Sequence, residues 1–373
     1  MFAIESLTIT LLLALGVALL LCFAATPPVK WFAEKVGAID VPKDERRVHA
    51  VPIPRLGGLA IFIGFVISVV IFADVNYGTR GILLGSVIIV IVGVMDDIVP
   101  LKPWHKFLAQ IAAALVAVFH GVVIDLVSNP NIFAESPYLS LGYLAIPLTV
   151  IWIVGITNAV NLIDGLDGLA VGVSTIASLT MLAVALFVSA DLNVAIILAA
   201  LAGACIGFLP YNLNPAKIFM GDTGALLLGF LLSTLSIEGL FKFYAIISFA
   251  VPFMALALPI FDTTFAILRR IARGQSPLCP DRGHLHHRLL DLGFSQKQAV
   301  FIIYLVSGAL GMLAVVITSS GPVRIVFTFL TFLVIAATVL LIFKGNQFKR
   351  KKTTAPPAEG EEKTKEGAEH ETN

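Results

Sequence analysis

The sequence predicts an all-α polytopic membrane protein, on the evidence of its composition and of its recurring apolar runs. Of its 373 residues, 58% are hydrophobic and only 13% are charged, and the mean hydropathy is +0.95. A soluble core could not absorb so much apolar sequence. Many of the runs approach the roughly 20 residues that a helix needs to cross a bilayer. We therefore expect the lipid bilayer itself to surround most of the chain.

The first apolar run predicts a retained transmembrane helix and not a cleaved signal peptide. The segment from Met1 to Leu7 contains Glu5 and has no lysine or arginine. The run then continues to about Ala25, which is longer than the apolar region of a signal peptide should be.

Ten further apolar segments complete a prediction of about eleven transmembrane helices. No internal repeat is evident, which argues against a transporter built from inverted repeats. The segments lie near Leu56 to Ala73, Gly81 to Met95, Trp104 to Val123, Leu141 to Ala159, Leu166 to Ser189, Val194 to Leu209, Thr223 to Ile237, Phe243 to Ile267, Ala299 to Ser319 and Val323 to Phe343.

The basic residues predict the orientation of these helices. With eleven crossings, 22 of the 25 lysines and arginines fall in the odd-numbered loops and the C-terminal tail, and Arg80, Lys242 and Arg324 are the exceptions. The positive-inside rule then puts the N-terminus outside and the C-terminus in the cytoplasm of a multi-pass protein of the inner or plasma membrane. Residues 1–343 form the predicted membrane domain, and residues 344–373 a charged, disordered cytoplasmic tail.

The segment from Asn158 to Leu169, between the fifth and sixth helices, is the strongest candidate for a functional site. It contains Asn158, Asn161, Asp164 and Asp167 and lies between two long apolar runs. An ionised side chain at the bilayer centre costs roughly 3 kcal/mol, so acids at a membrane boundary point to function.

Further polar groups fall on the same predicted cytoplasmic face, and each also has a structural interpretation. Asp96 and Asp97, which end the third helix, could simply face water, and Asp222, at the start of the eighth helix, could cap it. The three histidines could form a basic surface patch. Lys106, in the fourth helix, could extend its charged end to the membrane surface. Their convergence on one face favours a site. These groups are Asp96, Asp97, Lys106, Asp222, Arg282, His284, His286 and His287.

The combination predicts phosphoryl transfer on a diphosphate. Carboxylate and amide oxygens suit Mg²⁺ or Mn²⁺, which binds one or two acids together with substrate phosphates. Lysine, arginine and protonated histidine neutralise charge that develops on phosphate oxygens. A site at the membrane surface implies that one substrate is a lipid, and the long loop after the ninth helix could cover a nucleotide.

Six stretches of the chain together resemble the polyprenyl-phosphate N-acetylhexosamine-1-phosphate transferases of glycosyltransferase family 4. The resemblance covers nearly the whole chain apart from the tail, and the last stretch is similar to the branch that uses N-acetylglucosamine. The peptidoglycan branch, which uses UDP-N-acetylmuramoyl-pentapeptide, typically has a different histidine-rich stretch. The six are Asp40 to His49, Pro52 to Gly58, Asp96-Asp97, Asn158 to Leu169, Pro215 to Gly224 and Pro280 to Leu289.

The resemblance implies substrates and a role for each candidate residue. The substrates would be UDP-N-acetylglucosamine and undecaprenyl phosphate, with release of UMP, in the first membrane step of teichoic acid or O-antigen type glycan synthesis. No nucleic acid is expected as a partner, and a homodimer is one arrangement left open. Asp222 and Asn161 would bind Mg²⁺ (or Mn²⁺), Asp167 would face the uracil, and Asp164 would line the nucleotide pocket.

The resemblance also implies roles at the phosphates. Asp96 and Asp97 would activate the lipid phosphate, and Lys106 would bind it. The diphosphate or sugar would be contacted by Arg282, His284, His286 and His287.

Several alternatives stay open at this point. The lipid phosphate could attack the diphosphate directly, or an aspartyl-phosphate could form first, because carboxylates also act as nucleophiles. Outside this reaction class, an ion-coupled membrane transporter would use intramembrane acids, although usually near the bilayer midplane. An inactive scaffold of a glycan-assembly complex is a third reading.

Overall fold

The structure is a computed structural model that describes residues 2–41, 51–128, 138–187, 191–241, 250–275 and 283–353. In this part of the chain nearly all regular structure is helical. The helices are α1 (Phe2–Val36), α2 (Gly57–Phe72), α3 (Tyr77–Ile98), α4 (Pro103–Phe119), α5 (Ala145–Ile163), α6 (Leu169–Phe187), α7 (Leu192–Asn212), α8 (Gly221–Ser236), α9 (Ala250–Ala255), α10 (Ala257–Ala272), α11 (Leu285–Asp291), α12 (Gln296–Thr318) and α13 (Gly321–Thr353).

Two short antiparallel pairs of strands join some of the helices. β1 (Ile39–Asp40) pairs with β2 (Ile53–Pro54) between α1 and α2. β3 (Leu126–Ser128) pairs with β4 (Tyr138–Ser140) between α4 and α5.

The chain is a polytopic membrane protein. Within the described ranges, seven helices are long and apolar enough to cross a membrane, and α2 and α4 are shorter apolar helices. Each of the eleven predicted segments overlaps at least one helix, so their positions agree with the structure. The count of eleven crossings and the orientation stay predictions.

Two predicted boundaries were wrong, and prolines are involved in both. α1 does not end near Ala25 but continues through Pro27 and Pro28 to Val36. The side chains of Val29 and Ala33 are buried against the core, so packing outweighs the hydrogen bonds that the prolines remove.

The predicted ninth helix is divided into α9 and α10, which are separated at Leu256. Pro259 lies in the first turn of α10 and has no amide hydrogen to continue the ladder of hydrogen bonds, which explains a break here.

Helix α8 lies at the centre of the bundle. Every residue from Thr223 to Ser236 is buried, as expected for a helix that is apolar all round. α8 packs against α2, α3 and α5, while α1 packs against α2 and α7. α12 packs against both α6 and α13. The C-terminal ends of α3 and α5 therefore meet the N-terminal end of α8, which is where the polar groups of the sequence converge.

The last helix crosses the predicted domain boundary. α13 runs to Thr353, ten residues beyond the predicted end of the membrane domain at residue 343. Residues 354–373 lie outside the described part of the chain, so the disordered tail remains a prediction.

Candidate active site

Asp97 caps helix α8 from the end of α3. Its carboxylate accepts the amide hydrogens of Asp222 (2.9 Å) and Thr223 (3.0 Å) and the hydroxyl of Thr223 (2.6 Å). The Asp97 side chain is fully buried, and the Nε of Arg55 lies 3.5 Å from its Oδ1. Asp222 therefore lies in the first turn of α8 and does not cap this helix. The N-cap residue is Met220, whose side chain makes no capping hydrogen bond. The cap comes from a residue 125 positions away.

Gly221 makes this approach possible. Its φ is +68°, in the left-handed region that favours glycine. A Cβ at this position would collide with the carboxylate of Asp97. Glycine is therefore required both for the turn into α8 and for the contact with its cap.

The carboxylate of Asp222 is the meeting point of three helices. Lys106 Nζ from α4 lies 2.6 Å from Asp222 Oδ2 and 3.1 Å from Asp96 Oδ2. The side-chain amide of Asn161, in the last turn of α5, lies 3.4 Å from Asp222 Oδ1. Asp96 also accepts the amide hydrogen of Leu101 at 2.7 Å, which fixes its orientation. Lys106 bridges two acids here and does not simply extend to the membrane surface.

The loop after α5 carries the other two acids of the central segment. Asp167 accepts hydrogen bonds from the side chain of Asn214 (2.9 Å) and the amide of Ala216 (3.0 Å). Asn214 also donates to Gln296 at the start of α12 (2.6 Å). Burial, reinforced by the charge of Asp222, raises the pKa of Asp164 to about 7.

A polar cavity of about 360 Å³ lies between these groups. Carboxylates, amides and one arginine dominate its wall, which suits a charged, hydrogen-bonding ligand. The lining residues are Asp40, Arg55, Asn161, Asp164, Gly165, Leu166, Asp167, Asn212, Phe219, Gly221, Asp222, His287 and Gln296.

The three histidines of the long loop have different environments. His284 pairs through Nδ1 with Asp262 of α10 at 2.9 Å, and the other oxygen of Asp262 accepts the amide hydrogen of Leu285 at the start of α11. His286 is buried beneath Gly165, where a Cβ would lie 2.5 Å from its Nε2. His287 is the member of the trio that lines the cavity.

His286 should make the stability of the protein depend on pH. Burial, with a smaller effect of His287, lowers the pKa of His286 to about 4, whereas an unfolded histidine titrates near 6.5. Between these values the unfolded chain binds a proton that the folded chain does not. The resulting stability is complete above pH 6.5 and falls as the pH drops towards 4, by an amount on the order of 3 kcal/mol.

The measurement is the unfolding midpoint of detergent-purified protein from pH 7.5 to pH 5. The wild type should lose stability across this range, and His286→Gln should show a flatter profile because it does not titrate. Parallel profiles for the two proteins would contradict the assignment.

The structure brings most of the predicted residues together. Asn161, Asp164, Asp167, Asp222 and His287 line the cavity. Asp97 and Lys106 contact Asp222, and Asp96 pairs with Lys106, but these three residues do not line the cavity. His284 and His286 hold α11 in place and are not among the lining residues, and Arg282 lies outside the described residues.

Eight lining residues were not among the predicted site residues. Six of them stand within stretches that the sequence analysis names for the family resemblance, so the sequence did point to their neighbourhood: Asp40, Arg55, Gly165, Leu166, Phe219 and Gly221. Nothing local in the sequence marks Asn212 or Gln296 as a cavity residue.

Known proteins resemble the chain over most of its length. A model of glycosyl transferase family 4 matches residues 79–240. The chain is 44% identical over 336 residues to a probable undecaprenyl-phosphate N-acetylglucosaminyl 1-phosphate transferase of Bacillus subtilis, covering 89% of this chain and 92% of that protein.

Two other relatives come from different branches. A decaprenyl-phosphate N-acetylglucosaminephosphotransferase of Mycobacterium tuberculosis is 38% identical over 315 residues, which are 77% of this chain and 78% of that protein. A phospho-N-acetylmuramoyl-pentapeptide-transferase of Staphylococcus aureus is 33% identical over 283 residues, 69% of this chain and 84% of that protein. With identity this high across nearly the full length of the Bacillus protein, the chain belongs to glycosyl transferase family 4.

Proposed function

We propose that the protein transfers N-acetylglucosamine-1-phosphate from UDP-N-acetylglucosamine to undecaprenyl phosphate. UMP is released, and the lipid product, undecaprenyl-diphospho-N-acetylglucosamine, starts the synthesis of a cell-surface glycan. The observation that carries the proposal is the meeting of Asp222, Asn161 and Lys106 beside a polar cavity at the ends of membrane helices. Such a site gives a charged nucleotide and a membrane lipid access to one set of phosphate-binding groups.

The choice of donor rests on the relatives. The Bacillus and Mycobacterium proteins, at 44% and 38% identity, carry names that specify N-acetylglucosamine. The Staphylococcus protein, whose name specifies a muramoyl-pentapeptide, is 33% identical. The peptidoglycan reaction is therefore the weaker alternative.

The residues around Asp222 fit a divalent cation. Among the described residues no group of three histidine, cysteine or acidic side chains could hold a metal by itself. Asp222 Oδ1 and the amide of Asn161 nevertheless lie side by side, and Mg²⁺ typically takes one or two protein oxygens and completes its shell with water and substrate phosphates. The amide oxygen of Asn161 would face the ion after a flip of the amide group. When bound, Mg²⁺ (or Mn²⁺) would neutralise charge on the diphosphate.

The two acids at the end of α3 receive different roles in this proposal. Asp96 is paired with Lys106, so the two can receive the lipid phosphate together: the lysine attracts it and the carboxylate accepts its remaining proton. Asp97 has both oxygens occupied by the start of α8 and is fully buried. We therefore assign Asp97 to positioning Asp222 and not to the lipid phosphate.

The preferred mechanism is a single displacement. A phosphate monoester has a second pKa near 6, so the lipid phosphate is largely ionised at neutral pH and needs little base catalysis. Its oxygen attacks the β-phosphorus of the donor, the bond to the bridging oxygen breaks, and UMP leaves. Asp167 and Asp164 would bind the uridine, and His287 would contact the diphosphate or sugar. Asp97 is engaged by the start of α8 and Asp222 is paired with Lys106, which argues against either carboxylate as the nucleophile of an aspartyl-phosphate route.

The orientation follows from the same proposal. Nucleotide sugars are made in the cytoplasm, so the site would face the cytoplasm of a protein in the inner or plasma membrane, as the distribution of basic residues predicts. The candidate acids lie at the ends of α3, α5 and α8, whereas ion-coupled transporters usually place such acids within broken helices, and this favours the transferase.

The test is UMP release by detergent-purified protein supplied with undecaprenyl phosphate and UDP-N-acetylglucosamine, with and without Mg²⁺. We expect turnover that requires the metal and exceeds that with UDP-N-acetylgalactosamine or UDP-N-acetylmuramoyl-pentapeptide. Preference for the pentapeptide donor would move the protein to the peptidoglycan branch. Absence of UMP with every donor, in protein shown to be folded, would reject the transferase proposal.

A further inference from the structure

The backbone is strained directly beside Arg55, at the wall of the cavity. Leu56 has φ +90°, and it is the one non-glycine residue with a positive φ in the described part of the chain. A leucine rarely adopts this conformation, because its Cβ crowds the backbone. Such strain persists where the surroundings enforce it, and it clusters at binding and catalytic sites.

The surroundings of Leu56 enforce the strain through the segment that leads to Asp222. Phe219 donates its amide hydrogen to Pro54 at 2.8 Å and accepts the amide hydrogen of Gly57 at 2.9 Å. The next amide, that of Gly58, donates to Met220 at 2.9 Å. The side chain of Leu56 is fully buried beneath this ladder. Arg55 is therefore attached rigidly to the start of α8.

The side chain of Arg55 lies where a substrate anion would be bound. It lines the cavity, and about a third of it (32%) is exposed. Four carboxylates share the wall, and among the described lining residues Arg55 is the single lysine or arginine. Lys106 pairs with Asp222 Oδ2 and is not among the residues that line the cavity.

The ion pair with Asp97 explains only part of this arrangement. The guanidinium has five N–H donors, and the pair uses Nε at the long distance of 3.5 Å. Asp97 already accepts three shorter hydrogen bonds, so its oxygens have hydrogen-bond donors other than Arg55. A contact through Nε orients the guanidinium while its other donors remain able to bind a phosphate in the bidentate manner typical of arginine.

We propose that Arg55 binds the diphosphate of the nucleotide sugar. This deepens the proposed function, on which it rests, by adding a substrate-binding residue from the connection between α1 and α2. The guanidinium would offset the repulsion between the diphosphate and the four acids of the wall. It would also stabilise the negative charge that remains on UMP when the bridging bond breaks.

Binding of UDP and of uridine to purified protein, measured by calorimetry in Mg²⁺, tests this without requiring turnover. Arg55→Met should weaken UDP binding by about 10- to 100-fold, the effect of losing a charge-assisted hydrogen bond, and should leave uridine binding unchanged. Arg55→Lys keeps the charge and the pairing with Asp97 and should give an intermediate loss for UDP alone. Arg80→Met, at the opposite end of α3, is the matched control and should bind both ligands as the wild type does.

A structural role for Arg55 would give a different pattern. Equal losses for UDP and uridine in both Arg55 variants, or wild-type UDP affinity in either folded variant, would overturn the proposal. In turnover, the KM for the nucleotide sugar should rise in Arg55→Lys while the KM for undecaprenyl phosphate stays unchanged. Failure of the wild type to release UMP would reject the proposed transfer reaction. The comparison of UDP affinity with uridine affinity tests the role of Arg55 independently of that reaction.

Discussion

Replacing Asp222 with alanine is expected to reduce UMP release by about a thousandfold or more while the protein stays folded. The carboxylate of Asp222 is the common partner of Lys106, at 2.6 Å, and of Asn161, at 3.4 Å. Its loss removes the acid that would hold a divalent cation and leaves Lys106 paired with Asp96 alone. The measurement is the initial rate of UMP release at saturating concentrations of both substrates.

Asp74→Ala is the matched control for this experiment. It makes the same chemical change at an exposed acid between α2 and α3, at the other end of the bundle, and should leave the rate unchanged. Asp222→Asn keeps the size of the side chain and should be almost as slow as the alanine variant, because the charge is what Lys106 and a cation require. A rate within tenfold of the wild type for either Asp222 variant would show that Asp222 is not part of the active site.

Gly221→Ala is expected to reduce transfer by at least about a hundredfold, although the added methyl group carries no charge. The substitution places a Cβ where the carboxylate of Asp97 lies and forces alanine to adopt a φ of +68°. Either Asp97 or the first turn of α8 must then move, and the amides of Asp222 and Thr223 lose their cap. The direction of the Asp222 carboxylate changes with them, because the residue lies in that turn.

The assay for this variant combines UMP release with the unfolding midpoint in detergent. Gly155→Ala provides the control, since that glycine lies in α5 with an ordinary φ and nothing within 4 Å of an added Cβ. We expect the control to behave as the wild type in both measurements. Full activity of Gly221→Ala would mean that the cap from Asp97 does not position Asp222.

The membrane class and the helices were predictable because their signal is local. A transmembrane helix is recognised from the hydropathy of one contiguous segment, so α7 and α12 could be predicted without knowledge of the rest of the chain. The boundaries depended on packing as well. The prediction ended the first helix near Ala25, yet α1 continues through Pro27 and Pro28 to Val36 with buried contacts beyond the prolines.

The convergence of Asp96, Asn161 and Asp222 was also predictable, because alternate helix ends must lie on the same side of a membrane. The different contacts of Asp96 and Asp97 were not predictable. Asp96 and Asp97 are adjacent and chemically identical in the sequence, yet one pairs with Lys106 and the other is enclosed by the start of α8.

The amino-acid sequence alone determined the class of protein, the positions of its apolar helices along the chain and the presence of polar groups at their ends. Each of these follows from the transfer of local segments between water and lipid. Only the tertiary structure decided that Asp97 caps α8, that His286 supports Gly165, and that Arg55 enters the cavity beside a strained leucine. These contacts join residues that are far apart in the chain, and a hydrogen bond or a steric collision depends on distances that only the packed helices define.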